Sequence, residues 1–99
     1  MGLEDLAMFR TVPGCVVFYP SDVVSAERAL ELAANYRGMT YTRTTRAETE
    51  VMYGPDEVFE IGKGKIVRQS VGDKLTVVAA GITLHETLKA ADILAGEGM

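Results

Sequence analysis

Two apolar runs constrain this chain more than anything else in it. Cys15-Val16-Val17-Phe18-Tyr19 is framed by Pro13-Gly14 and Pro20, and Leu75 to Ala80 follows the turn residues Gly72-Asp73. Each is too short to make a helix of its own. A short apolar run between turn signals reads as a strand buried on both faces. Strands of that kind belong to parallel sheets covered by helices, so the expected class is α/β.

The segments around the first run fit that expectation. Leu3 to Val12 is predicted to be a short helix, with Leu3, Leu6, Ala7 and Arg10 at helical spacing. Glu4 and Asp5 lie at its positive end, and Pro13-Gly14 stops it. After Pro20, Ser21 and Asp22 are N-cap candidates for an amphipathic helix from Val23 to Tyr36. Its apolar stripe is Ala26, Leu30 and Ala33, and Gly38 is placed for a left-handed cap. Met39 to Thr44 is rich in β-formers and reads as the next strand. Residues 15–44 are thus expected to form one strand–helix–strand unit, with parallel strands and a right-handed crossover.

The second half is less regular. Thr45 to Glu57 is polar, contains Gly54-Pro55 and reads as a loop or linker. Val58 to Ile61 and Lys65 to Gln69 are β-like pieces around Gly62-Lys63-Gly64, a hairpin or a bent strand. The run from Leu75 to Ala80 is expected to be a buried strand leading into a helix from Leu84 to about Leu94. Thr83 and Glu86 have capping-box spacing, and Leu84, Leu88, Ala91 and Leu94 share one face. One strand–helix–strand unit, a connector and an open strand–helix unit are few elements to cover a parallel sheet. The expected architecture is a partial parallel sheet with flanking helices, from a fragment or an incomplete α/β protein.

Bulk properties narrow the partners. The net charge of -4 opposes a nucleic-acid partner, which favours a basic patch, and equally opposes an anionic membrane surface. Apolar residues are 47% and charged residues 24% of the 99, ordinary for a soluble protein. No apolar run approaches a membrane span, and the first residues are acidic rather than the basic start of a signal peptide. Met1-Gly2 does not read as a myristoylation site, because Leu6 stands where Ser or Thr is needed. Cys15, the single cysteine, reads as a buried, unreactive thiol in a reducing, cytoplasmic compartment.

Few motifs carry chemistry. His85-Glu86 opens like a zinc-protease helix, but Lys89 stands where the second histidine belongs, so His85 reads as a packing or solvent-facing residue. Gly62-Lys63-Gly64 fails as a dinucleotide fingerprint at Val67 and as a phosphate loop at Lys65-Ile66; it reads as a turn with two solvated lysines. Gly81 sits at a strand-to-helix turn, where amides can bind an anion, although most such turns bind nothing. Arg43 and Arg46 flank Thr44-Thr45 at the carboxyl end of a predicted parallel strand, where ligands of open α/β sheets gather. Two readings stand for this pair: a phosphate site, since a guanidinium fork binds two oxygens at once, or arginines that solvate a loop.

Taken together, several segments resemble the transketolase family. Leu3-Glu4-Asp5-Leu6-Ala7-Met8-Phe9-Arg10 is similar to the helix after that family's active-site stretch. Val17-Phe18-Tyr19-Pro20-Ser21-Asp22 is similar to the next strand and helix start. Glu31-Leu32-Ala33-Ala34-Asn35 and Tyr41-Thr42-Arg43-Thr44 resemble the helix and strand that follow. Phe59-Glu60-Ile61-Gly62-Lys63-Gly64-Lys65 resembles the connector, and Ala80-Gly81-Ile82-Thr83-Leu84-His85-Glu86-Thr87-Leu88 the first strand–helix turn of the C-terminal domain. The order and spacing of these segments carry the resemblance, which is to the animal-type enzymes.

The resemblance implies a fragment of a thiamine-diphosphate-binding fold. Residues 1–46 would be the end of the pyrimidine-binding domain, 47–73 the linker with short strands, and 74–99 the start of the C-terminal domain. Family members are dimers that use thiamine diphosphate and magnesium to move a two-carbon ketol unit between sugar phosphates. By resemblance Arg43 is the arginine that grips the sugar phosphate. The family's diphosphate- and metal-binding motifs, its ylid-forming glutamate and its active-site histidines have no counterpart in this chain. It is therefore expected to bind no thiamine diphosphate or magnesium alone and to be inactive alone. The alternative is a non-enzymatic interaction module that pairs with itself or with a transketolase subunit through open strand edges.

Overall fold

A computed structural model describes residues 2–99; Met1, in the first predicted segment, lies outside the described residues. The elements are α1 (Asp5–Arg10), β1 (Val16–Phe18), α2 (Val23–Asn35), β2 (Thr40–Thr42) and α3 (Ile82–Gly96). The predicted strand–helix–strand unit is present. β1 and β2 pair in parallel, with Val16 opposite Thr40, Val17 opposite Tyr41 and Phe18 opposite Thr42. The pairing continues past the strands at both ends, through Val16 N–H to the Met39 carbonyl and Arg43 N–H to the Phe18 carbonyl.

α2 begins where the sequence indicates. The Asp22 carboxylate accepts the Ser25 amide at 2.8 Å, and the Ser25 hydroxyl accepts the Asp22 amide at 3.0 Å. This is a capping box in which serine takes the place usually held by Glu or Gln. Two details of the helix differ from expectation. The buried side is Ser25 and Ala29, while Leu30 is 63% exposed, so the inward face is turned by one residue from the predicted Ala26–Leu30–Ala33 stripe. Small residues are what permit close approach there. The helix also leaves through an extended Tyr36 instead of a left-handed glycine cap. Gly38 does have positive φ, but because a Cβ there would lie 2.8 Å from the Tyr36 ring.

β1 is shorter than the predicted Cys15–Tyr19 run and half-buried instead of enclosed. A strand is enclosed by its neighbours, and among the described residues β1 has one ladder partner. The same reasoning corrects three further predictions. Val58–Ile61, Lys65–Gln69 and Leu75–Ala80 form no strand, because no edge among the described residues pairs with them. Leu75, Val77 and Val78, expected to be buried, are exposed, Val78 almost wholly so. Residues 45–57 are free of helix and strand, in keeping with a loop.

α3 extends beyond its predicted bounds at both ends, and its face Leu84, Leu88, Ala91 and Leu94 is half-buried as predicted. The Thr83–Glu86 capping box is not formed. Gly81 is the N-cap, and the Thr83 hydroxyl instead donates to the Ala80 carbonyl at 2.6 Å and accepts the Ala80 amide at 3.1 Å. α1 is also trimmed relative to Leu3–Val12; the Thr11 hydroxyl donates to the Met8 carbonyl at its end. The radius of gyration is 15.0 Å, against about 13 Å for a compact domain of this length. Ala29 is the one buried hydrophobic residue among those described. No helix among the described residues is long and apolar enough to cross a membrane.

Candidate functional site

Arg43 emerges at the carboxyl end of β2, held there by its backbone bond to the Phe18 carbonyl at 2.9 Å. Its side chain is three-sided. Its guanidinium carbon lies 5.4 Å from the centroid of the Tyr19 ring, in cation–π range. Its Nη1 lies 3.6 Å from Asp5 Oδ1, and its Nη2 donates to the Gly2 carbonyl at 3.4 Å. Arg46, the other predicted candidate, is exposed in a bend and is not drawn into this cluster.

Asp5 is itself fixed. It opens α1, where the helix dipole favours a carboxylate. The Tyr41 hydroxyl donates to its Oδ2 at 2.6 Å, and the Tyr41 ring stacks on Phe9 of α1 at 4.0 Å and 8°. Tyr41 and Arg43 are two residues apart on an extended segment, so both side chains project to the α1 side. The hydrogen bond from Tyr41, aided by the Arg43 charge and opposed by desolvation, holds the Asp5 carboxyl below its usual range. The same bond holds the Tyr41 hydroxyl above its own.

Tyr19 connects this cluster to the second half of the chain. Its carbonyl accepts the Gly81 amide at 3.1 Å, and its ring lies where a Cβ on Gly81 would be, 2.1 Å from the nearest ring carbon. The Gly81 amide is therefore committed to Tyr19, and the turn before α3 is not an open anion site. His85, one turn into α3, donates through Nε2 to the Ser21 carbonyl at 2.5 Å, so it packs across the two halves.

The remaining candidates are inert. Lys63 pairs with Glu60 at 2.8 Å. Lys65 pairs with Glu57 and lies 4.5 Å from the Phe59 centroid, so it packs instead of being solvated as expected. Lys63 stays largely exposed in its surface pair, as a solvated turn lysine. Cys15 is a half-buried free thiol. A cavity of about 300 Å³ lies between Phe18, Ala29, Tyr53, Phe59 and Leu84, lined chiefly by apolar side chains. Among the described residues no three His, Cys, Asp or Glu side chains gather to hold a metal ion.

Sequence reasoning reached Arg43 but missed Asp5, Tyr19 and Tyr41. The two-residue spacing of Tyr41 and Arg43 was a usable signal. Nothing local marks Asp5, which is brought to them by the packing of α1.

Known proteins resemble this chain over its whole length. The family described as "Transketolase, pyrimidine binding domain" matches residues 1–51. Transketolase-like protein 1 of Bos taurus is 62% identical over 99 residues, all of this chain and 17% of the relative. Transketolase of Homo sapiens is 53% identical over 97 residues, 98% of this chain and 16% of the relative. A solved structure titled "Split gene transketolase, inactive beta4 tetramer" superposes on the whole chain with a TM-score of 0.93 at 34% identity, over 32% of that structure's chain. The chain spans about a sixth of the curated relatives it matches. With the match on the strand–helix–strand unit that carries Arg43, this chain belongs to the transketolase family.

Proposed function

We propose that this chain is a transketolase segment that supplies part of a ketol-transfer site and does not complete one. The observation that carries the reading is Arg43, held at the carboxyl end of β2 with its guanidinium against Tyr19 and Asp5. A planar fork in that place suits a sugar phosphate, whose charge it would meet with two parallel hydrogen bonds. Thiamine diphosphate, when bound in a whole family enzyme, supplies the carbanion chemistry. No step is assigned to the cofactor on this chain. Arg43 binds and orients; proton transfer and carbon–carbon cleavage belong to groups elsewhere in the assembly.

Calorimetry of the pure chain with thiamine diphosphate and magnesium is the direct test, accompanied by a ketol-transfer assay. Silence in both is expected. Saturable heat at micromolar cofactor, or turnover without added protein, would overturn the reading.

A second reading is a non-enzymatic interaction module, favoured by one observation. Leu75, Val77 and Val78 lie exposed in an extended segment without a ladder partner. Such a segment invites pairing with a second copy or with a transketolase subunit. Sedimentation across a hundredfold range of about 1–100 μM, with and without a full-length transketolase, tests it. A monomer throughout, with no co-sedimentation, removes it.

A further inference from the structure

An arginine that binds phosphate through two parallel hydrogen bonds must present its fork in one plane and direction, and a free side chain of four torsions does not. Three groups restrain Arg43: the Tyr19 ring, the Gly2 carbonyl and the Asp5 carboxylate. Of the three, Asp5 alone is charged, and its side chain is tied to the strand that carries Arg43. Its anchor is the 2.6 Å bond from Tyr41, whose ring is stacked on Phe9 in the same helix as Asp5. Arg43, Tyr41 and Asp5 therefore close a triangle spanning β2 and α1.

The triangle has one open side. Asp5 Oδ1 is buried and accepts no hydrogen bond, and it stands 3.6 Å from Nη1. At that distance the carboxylate orients the guanidinium through charge without consuming an N–H in a short bond. The N–H groups not taken by the Gly2 carbonyl remain available to an incoming anion.

We infer that Asp5 is a positioning residue: fixed by Tyr41, it aims the Arg43 guanidinium at the phosphate of a sugar phosphate beyond the end of β2. The inference rests on the phosphate role proposed for Arg43. It runs against simple electrostatics, in which removing a neighbouring carboxylate strengthens anion binding, and that opposition gives the test its sign.

The experiment titrates inorganic phosphate into the isotope-labelled chain and follows the Arg43 side-chain N–H signals by NMR. Asp5→Asn is expected to weaken binding about two- to fivefold, the range an ion pair of this kind controls. Asp5→Glu is expected to restore most of it. Tyr41→Phe, which frees the carboxylate but keeps its charge, is expected to weaken binding as well. Backbone signals of α1 and β2 serve as the check that the fold is unchanged. Binding unchanged or tightened in Asp5→Asn, while Arg43→Ala abolishes it, overturns the positioning role and leaves the Arg43 reading standing. Phosphate that leaves the Arg43 signals unmoved in the unaltered chain overturns the Arg43 reading, and this inference with it.

Discussion

Asp22 accepts the backbone N–H of Met52 at 2.7 Å, a contact across 30 residues of chain. The same oxygen accepts the Tyr53 N–H at 3.0 Å, while the other oxygen caps α2 through Ser25. One buried carboxylate thus starts a helix and moors the polar connector. Replacing Asp22 with Ala removes a cap and strands two amides, and is expected to cost about 1–2 kcal/mol. Urea unfolding measures the loss, and hydrogen exchange at Met52 and Tyr53 is expected to accelerate. Equal protection of those two amides in the variant would contradict the mooring.

The same group gives an acid dependence. Burial acts to raise the Asp22 carboxyl, but hydrogen bonds from Ser25, Tyr53 and Met52 together outweigh it, and it lies below its usual value of 3.8. A depressed carboxyl contributes stability that is complete above the unfolded value and is lost as pH falls through the folded one. The connector is therefore expected to stay moored at pH 5 and to be released below about pH 3.8. Exchange at Met52 and Tyr53, corrected for its intrinsic pH dependence, follows this. Release already at pH 5 to 6 would assign the transition to another group.

Gly81 has φ of 57° and ψ of -135°, a conformation that side chains avoid, and the Tyr19 ring occupies the place of a Cβ. Gly81→Ala is expected to destabilise the junction of β1 and α3 by about 1–3 kcal/mol from backbone strain alone. The Tyr19 ring must also move, which Tyr19 side-chain NMR shifts report. A variant as stable as the parent would mean that the turn adapts freely.

The rotated face of α2 is testable with a pair of neighbours. Ala29 is 6% exposed and Leu30 is 63% exposed. Ala29→Asp is expected to cost more than about 2 kcal/mol by burying an unpaired charge, and Leu30→Gln to fall within about 0.5 kcal/mol. Thermal unfolding of the two variants decides it. The reverse order would restore the Ala26–Leu30–Ala33 stripe.

What could be read from the chain divides along a physical line. Local signals were sound: Asp22 before Val23 marks the start of α2, and Leu84, Leu88, Ala91 and Leu94 mark the inner side of α3. The parallel pairing of β1 and β2 followed from the length of the helix between them. Val58–Ile61 and Leu75–Ala80 misled because β-propensity states what a segment can do, and a strand also needs an edge to pair with. Leu30 misled because spacing fixes a stripe but not which neighbouring stripe turns inward, and here Ser25 and Ala29 are the buried ones. The place of Arg43 at the carboxyl end of β2 was legible from the pattern. Asp5 was not, because its role arises from α1 meeting Tyr41, a contact spanning 36 residues.

Tyr19 meets Gly81 on one side and the guanidinium of Arg43 on another. It acts as a bearing between two parts of the chain, with no slack on the glycine side. Movement of the turn before α3 bears on this ring, and the ring lies beside the Arg43 charge. The orientation of Arg43 is thereby geared to the seating of a helix that begins 39 residues further along the chain.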